Sequence, residues 1–234
     1  MVEIKGIEKF APKDFPGFVS ATFFVGGCNF RCPFCHNADL VIRPDSLADF
    51  PMDYVLAFLD SRAGWLEGIC ITGGEPLLHA DIDVLLQVIK DRDLLVKIDT
   101  NGTAPDLLNR LIAGRLVDHI AMDIKSTPEK YEKAAGVAVD MKTIRRCIDI
   151  ILESGLPHTF RTTAVPGLVH KEDIAAIAEL LKGARVFQLQ QFYPEGALDA
   201  AYRKMEPYTP EIFLEMAAEA KMFFEEVRTE GVSP

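Results

Sequence analysis

Hydrophobic positions in this chain follow two alternating rhythms. Short β-rich runs are "GFVSATFFVGG" (17–27), "GICITGG" (68–74), "LLVKIDTNG" (94–102), "VDHIAMDIK" (117–125), "HTFRTTAVPG" (158–167) and "RVFQLQQFYP" (185–194). Each is followed by apolar residues at helical spacing, predicting helices near 48–61, 81–91, 105–114, 141–154, 171–182 and 210–228. In the second helix Ile82, Leu85, Leu86 and Ile89 share one face; the third closes on Gly114 in the manner of a C-terminal glycine cap. The last places Phe213, Met216, Ala217, Ala220, Phe223, Phe224 and Val227 near one face, a packing pattern. Residues 1–16 are set apart as an N-terminal extension, and no low-complexity linker divides the chain, so one domain over 1–234 is expected. Six β-then-α units imply an α/β fold with parallel strands and right-handed crossovers. Patterning leaves an open doubly wound sheet and an incomplete (β/α) barrel as alternatives.

Either architecture puts its reactive site beyond the carboxyl ends of the strands. Those ends carry a cysteine-rich loop after the first strand, "TGGEP" (72–76), "DTNG" (99–102), "MDIK" (122–125), "RTT" leading to "VPG", and "QQF". Unusual polar groups and glycine pairs thus fall at one end of the sheet, which points to one shared site.

Composition narrows the classes. With 49% apolar residues in 234, the chain can bury a sizeable core. A formal charge of −10 argues against a broad nucleic-acid surface. The start "MVEIKGIEKF" has no apolar run of signal length and nothing later resembles a membrane helix, so no membrane association and a cytoplasmic location are expected. There, crowded cysteines read as metal-binding or catalytic.

"CNFRCPFCHN" (28–37) holds three of the five cysteines in a Cys-x3-Cys-x2-Cys spacing. Zinc wants four ligands, and His36 could be the fourth beside Cys28, Cys32 and Cys35, giving a non-enzymatic zinc-binding module. Cys70 and Cys147 stand alone in apolar runs, where packing is the simpler reading. Three thiolates on a [4Fe–4S] cluster would instead leave one iron open for chemistry.

Cys28, Cys32 and Cys35, with Phe34 before the third cysteine and "GGE" at 73–75, resemble the signature of the radical S-adenosylmethionine (radical SAM) superfamily. The resemblance implies a partial (β/α)6 barrel, one [4Fe–4S] cluster per chain on the three cysteines, and S-adenosylmethionine as the second cofactor. It places Phe34, His36 and Asn37 along that molecule, Gly73, Gly74 and Glu75 at its methionine end, and Asp99, Asp123 and Lys125 against it; Thr100 and Asn101 contact it or only form the turn, and Arg161 binds its carboxylate or salt-bridges within the barrel. "CHN" at 35–37 and the segment "KGIEKFAPKDFPGFVSATFFVGGCNFRC" are similar to glycyl-radical enzyme activases, above all that of anaerobic ribonucleoside-triphosphate reductase. This implies a glycyl-radical partner enzyme, that ribonucleotide reductase being preferred, and an electron donor such as flavodoxin or ferredoxin.

Pyruvate formate-lyase activases carry a His in the strand-six loop; this chain reads "QLQQFYPEGALD" (188–199), leaving Gln190, Gln191 or Tyr193 for the sugar hydroxyls. His79, His119, His158 and His170 are read as structural or exposed. A small-molecule enzyme like 7-carboxy-7-deazaguanine synthase is the competing reading within the superfamily.

Overall fold

One sheet of eight strands, hydrogen-bonded in chain order, organises the computed structural model. It describes residues 2–232; positions 1, 233 and 234 of the expected 1–234 domain lie outside the described residues. The six predicted strands are β2 (Ser20–Val25), β3 (Gly68–Gly73), β4 (Leu95–Thr100), β5 (His119–Asp123), β6 (His158–Ala164) and β7 (Val186–Gln191), all parallel. Two further strands flank them. β1 (Ile4–Glu8) runs antiparallel to β2, so the segment read as an extension is an edge of the sheet.

The other edge, β8 (Glu226–Glu230), corrects the last predicted helix. That helix spans only Pro210–Ala220, started by Thr209, whose hydroxyl accepts from the Ile212 N–H, and by Pro210 at its first position. Beyond it Phe224 stacks on Phe187, with ring centroids 4.7 Å apart, and "EVRTE" pairs in parallel with β7. Its alternation was hidden because Phe223, Phe224 and Val227 also fit helical spacing; a ladder partner decides such cases over local preference.

Helices α1 (Ala38–Ile42) and α2 (Met52–Ser61) join β2 to β3; α3 (Ile82–Lys90) and α4 (Pro105–Ala113) follow β3 and β4. The unpredicted α5 (Tyr131–Ala135) precedes α6 (Met141–Glu153); α7 (Ile174–Leu180) and α8 (Pro210–Ala220) complete the set. α3 buries the predicted Ile82, Leu85, Leu86 and Ile89. Gly114 does not take the left-handed cap position: it stays helical at φ −76°, and Arg115 turns the chain at φ 55°.

Alternation sorts the sheet's two faces. Ile69, Ile71, Val96, Ile98, Ile120, Met122, Phe160, Phe187 and Leu189 belong to the buried core with the helices, while Lys97, Asp99, Asp123, Arg161, Gln188 and Gln190 line cavities on the other face. The Arg161 guanidinium on β6 reaches past β5 to Asp99 on β4, so this face is concave. Among the described residues β1 and β8 do not pair, and the curled sheet stays open between them.

Candidate active site

Residues 26–37 cross the carboxyl end of the sheet and are held from several directions. Gly27 N–H donates to Leu40 O (2.8 Å), Arg31 N–H to Ala135 O at the end of α5 (2.8 Å), and Asp199 N–H to Pro33 O (2.9 Å). The Asn37 amide donates to Gly73 O (3.0 Å) and the His36 Nε2–H to Tyr193 O (2.6 Å). Two glycines permit the closest approaches. A Cβ on Gly74 would stand 1.8 Å from Gly27 O, and one on Gly136, at φ 71°, would stand 2.1 Å from Arg31 O.

Cys28, Cys32 and Cys35 all line one cavity of about 440 Å³. Burial pushes all three thiols up, that of Cys32 to about 12. The Phe30 N–H points at Cys28 Sγ (3.4 Å). Among the described residues no three His, Cys, Asp or Glu side chains converge as a single metal ion requires. His36 already commits its Nε2–H elsewhere. Three thiols lining one cavity are a donor set that fits an iron–sulfur cluster.

Cys70 and Cys147 are fully buried and line none of this cavity. Cys70 differs from its apolar reading: its thiol lies 3.6 Å from both Asp99 Oδ1 and Lys97 Nζ. Cys70→Ala and Cys147→Ala are each expected to leave iron content unchanged while lowering unfolding stability by about 1 kcal/mol, measured by urea denaturation.

After β3, the buried Glu75 accepts from Leu77 N (3.1 Å) and Thr100 Oγ1 (2.7 Å) through one oxygen and from Asn101 N (2.6 Å) through the other. It braces the end of β3 against the end of β4, which leaves about one acceptor direction for a ligand cation. Burial raises its pKa to about 7 against these hydrogen bonds.

An alternating row of charges crosses the concave face. Lys97 pairs with Asp99; Arg161 donates from Nη1 to Asp99 Oδ2 (2.7 Å) and from Nε to Asp123 Oδ1 (2.7 Å); Lys125 donates to Asp123 Oδ2 (3.0 Å). Register explains the central pair, since Asp123 and Arg161 face each other across β5 and β6. Burial would raise both carboxyls, but the Arg161 guanidinium and then the lysines outweigh it and hold both below the ordinary 3.8. Their stabilisation is therefore present above pH 3.8 and is lost as pH falls below it. Arg161→Ala strands two part-buried carboxylates that keep one lysine each. It is expected to cost about 3 kcal/mol, the low end for breaking buried pairs, and to flatten the acid limb of stability against pH.

Every site residue singled out from the sequence lines the same cavity, from Cys28 through Arg161. Asp14, Phe24, Phe30, Val41, Thr72 and Thr163 line it too and were not anticipated. Phe24, Thr72 and Thr163 share the inward faces of their strands, so the period-two alternation would have found them once the inward face was known; Asp14 carries no such signal. Of the three candidates after strand six, Gln190 lines the cavity. Gln191 instead bonds Tyr208 O (2.7 Å), and the Tyr193 hydroxyl bonds Gly231 O (3.2 Å). Of the histidines only His36 lines it. His79 bonds Gly26 O, and His170 Nδ1 is hydrogen-bonded with the Tyr208 hydroxyl (2.7 Å).

Three thiols, a glycine pair and a row of charges at the strand ends of a curled parallel sheet define a cofactor-bearing α/β enzyme site. The profile described as the radical SAM superfamily matches residues 22–181, and this chain belongs to that superfamily. It is 31% identical to a Methanocaldococcus jannaschii protein provisionally named a glycyl-radical enzyme activating enzyme, over 96% of this chain and 94% of the relative. It is 27% identical to the pyruvate formate-lyase-activating enzyme of Streptococcus mutans, over 82% of this chain and 76% of that enzyme. The crystal structure of Streptococcus suis SuiB bound to the precursor peptide SuiA superposes with a TM-score of 0.67 at 16% identity, covering 88% of this chain and 47% of SuiB, a likeness of fold. Superfamily membership implies a [4Fe–4S] cluster and S-adenosylmethionine. No described helix is long and apolar enough to cross a membrane.

Proposed function

We propose that this radical SAM enzyme is a glycyl-radical enzyme activase, removing a hydrogen atom from one glycine Cα of a partner enzyme. The observation that carries the reading is near full-length similarity to a relative so named. Cys28, Cys32 and Cys35 would hold the [4Fe–4S] cluster, which together with S-adenosylmethionine would supply one-electron radical chemistry at this site.

The chain's own groups orient that cofactor and exclude water. Gly73, Gly74 and Glu75 hold the methionine end, with Asn101, Asp99, Asp123, Lys125 and Arg161 presenting fixed charges and amide groups along it. Asn37 keeps the cysteine loop against the Gly73 turn, and His36 ties it to the β7 end. Phe24 and Phe34 supply apolar wall, while Gln190 and Thr163 offer hydrogen bonds to sugar hydroxyls. The gap between β1 and β8 suits entry of a peptide loop.

Anaerobic ribonucleotide reductase is the partner favoured by the resemblance of the segment through Cys32 and of Cys35-His36-Asn37, and flavodoxin or ferredoxin the electron donor. Reduced, cluster-loaded protein incubated with S-adenosylmethionine and that reductase is expected to produce a glycyl-radical signal in electron paramagnetic resonance. Formation of 5′-deoxyadenosine with no glycyl radical on this or any other glycyl-radical protein would overturn the activase reading while leaving superfamily membership intact.

A further inference from the structure

A second, shallower cleft of about 340 Å³ opens behind the cysteine loop, lined by Asn29, Phe30, Thr103, Thr143 and residues 137–140. Phe30 lines both this cleft and the cavity holding the three thiols. Phe30 is 3% exposed, and its side chain forms part of the wall that the cleft shares with the thiol-lined cavity. Polar contacts bridge the same wall. The Asn101 amide reaches Asn29 Oδ1 (2.8 Å) and lies 3.9 Å from Cys28 Sγ, and the Asn29 amide donates to Thr103 Oγ1 (2.8 Å).

Reductive chemistry in the cavity needs an electron from outside, and electron transfer weakens steeply with distance. A thin wall beside Cys28 favours delivery here. The floor is apolar, with half-buried Val137 and Val139 and exposed Ala138. Exposed Lys142, between the lining residues Asp140 and Thr143, and exposed Arg31, next to Phe30, form no ion pair with any described residue; the Arg31 Nη1 donates instead to Cys28 O (2.5 Å) and Phe30 O (2.8 Å). Of the nearby acids, Asp140 is held by the Lys142 N–H and the Thr143 hydroxyl at the start of α6, and Glu132 by the Val139 N–H. In a chain of net charge −10 the rim thus carries two cations beside two acids, and neither cation is committed to a carboxylate at ion-pair distance.

We propose that this cleft is the docking surface for a small acidic one-electron carrier protein, which reduces the cluster from the Cys28 side. The carrier loses one electron and the cluster gains it, with no atom transferred. The proposal rests on the cluster reading above.

Ala138→Trp fills the cleft from an exposed position, and Lys142→Glu reverses a rim charge; neither residue touches the thiol cavity. Rapid-mixing absorbance should follow cluster reduction in the loaded parent and both variants, by reduced flavodoxin and separately by dithionite. Flavodoxin is expected to reduce each variant about tenfold more slowly at sub-saturating carrier, equivalent to about 1.4 kcal/mol of docking free energy. The Lys142→Glu defect should shrink at high salt. Dithionite should reduce all three proteins at one rate. Unchanged flavodoxin rates in both variants, or equal slowing with dithionite, would overturn the proposal. A parent with no dithionite-reducible cluster would defeat the cluster reading itself.

Discussion

Alanine at Cys28, Cys32 or Cys35 is expected to abolish S-adenosylmethionine cleavage, measured as 5′-deoxyadenosine formed under anaerobic reducing conditions. The three thiols line one cavity, and neither remaining cysteine lines it. No spare thiol can therefore take over a lost position. His36 donates its Nε2–H to Tyr193 O and its ring lies parallel to Phe192, with centroids 6.5 Å apart, which fixes the ring at the β7 end. A missing thiolate leaves an under-ligated cluster, so iron content should fall together with cleavage. Full activity in any one variant would contradict the ligand assignment. Cys147→Ala, at a buried site away from the cavity, is the matched control and should cleave normally.

Gly74→Ala is expected to cost about 10–100-fold in cluster loading, as losses in the support of metal ligands commonly do. The added Cβ would sit 1.8 Å from Gly27 O, and backbone cannot yield as a flexible side chain can. The same turn is hydrogen-bonded to the end of β2 by Gly74 N–H to Val25 O (2.8 Å) and to the cysteine loop by Glu75 N–H to Gly27 O (2.8 Å). The clash must push the loop off the β3 end and displace Cys28, one residue beyond Gly27. The fold should survive, because Gly74 lies past the last residue of β3. Near-native circular dichroism with reduced iron per chain is the expected pair of observations; native loading would show that the loop relaxes without moving its thiols.

Much of this was legible because function and topology share a rhythm. A parallel β/α repeat places all its loops on one rim, so residues scattered from Cys28 to Arg161 could be assigned to one place before any geometry was known. Contributions that local pattern does not encode were less visible. β8 looked helical because its partner β7 lies more than thirty residues earlier in the chain. Lys97 read as one polar residue in a strand, yet it ends the charge row that holds Asp99. Glu75 read as a ligand acceptor, while its depth depends on Thr100 and Asn101, which only strand adjacency brings near. Choosing Gln190 over Gln191 required knowing which face of β7 turns inward. Phe30, between two marked cysteines, gave no sign that it also walls the outer cleft.

We propose that Cys28, Cys32 and Cys35 hold a four-iron cluster whose remaining iron binds S-adenosylmethionine. Mössbauer spectroscopy of protein loaded anaerobically with iron-57, before and after adding S-adenosylmethionine, tests it most directly. One iron in four is expected to change its signal on addition while the other three hold theirs. Four irons indifferent to S-adenosylmethionine, or a chain that retains zinc and takes up no iron, would contradict it.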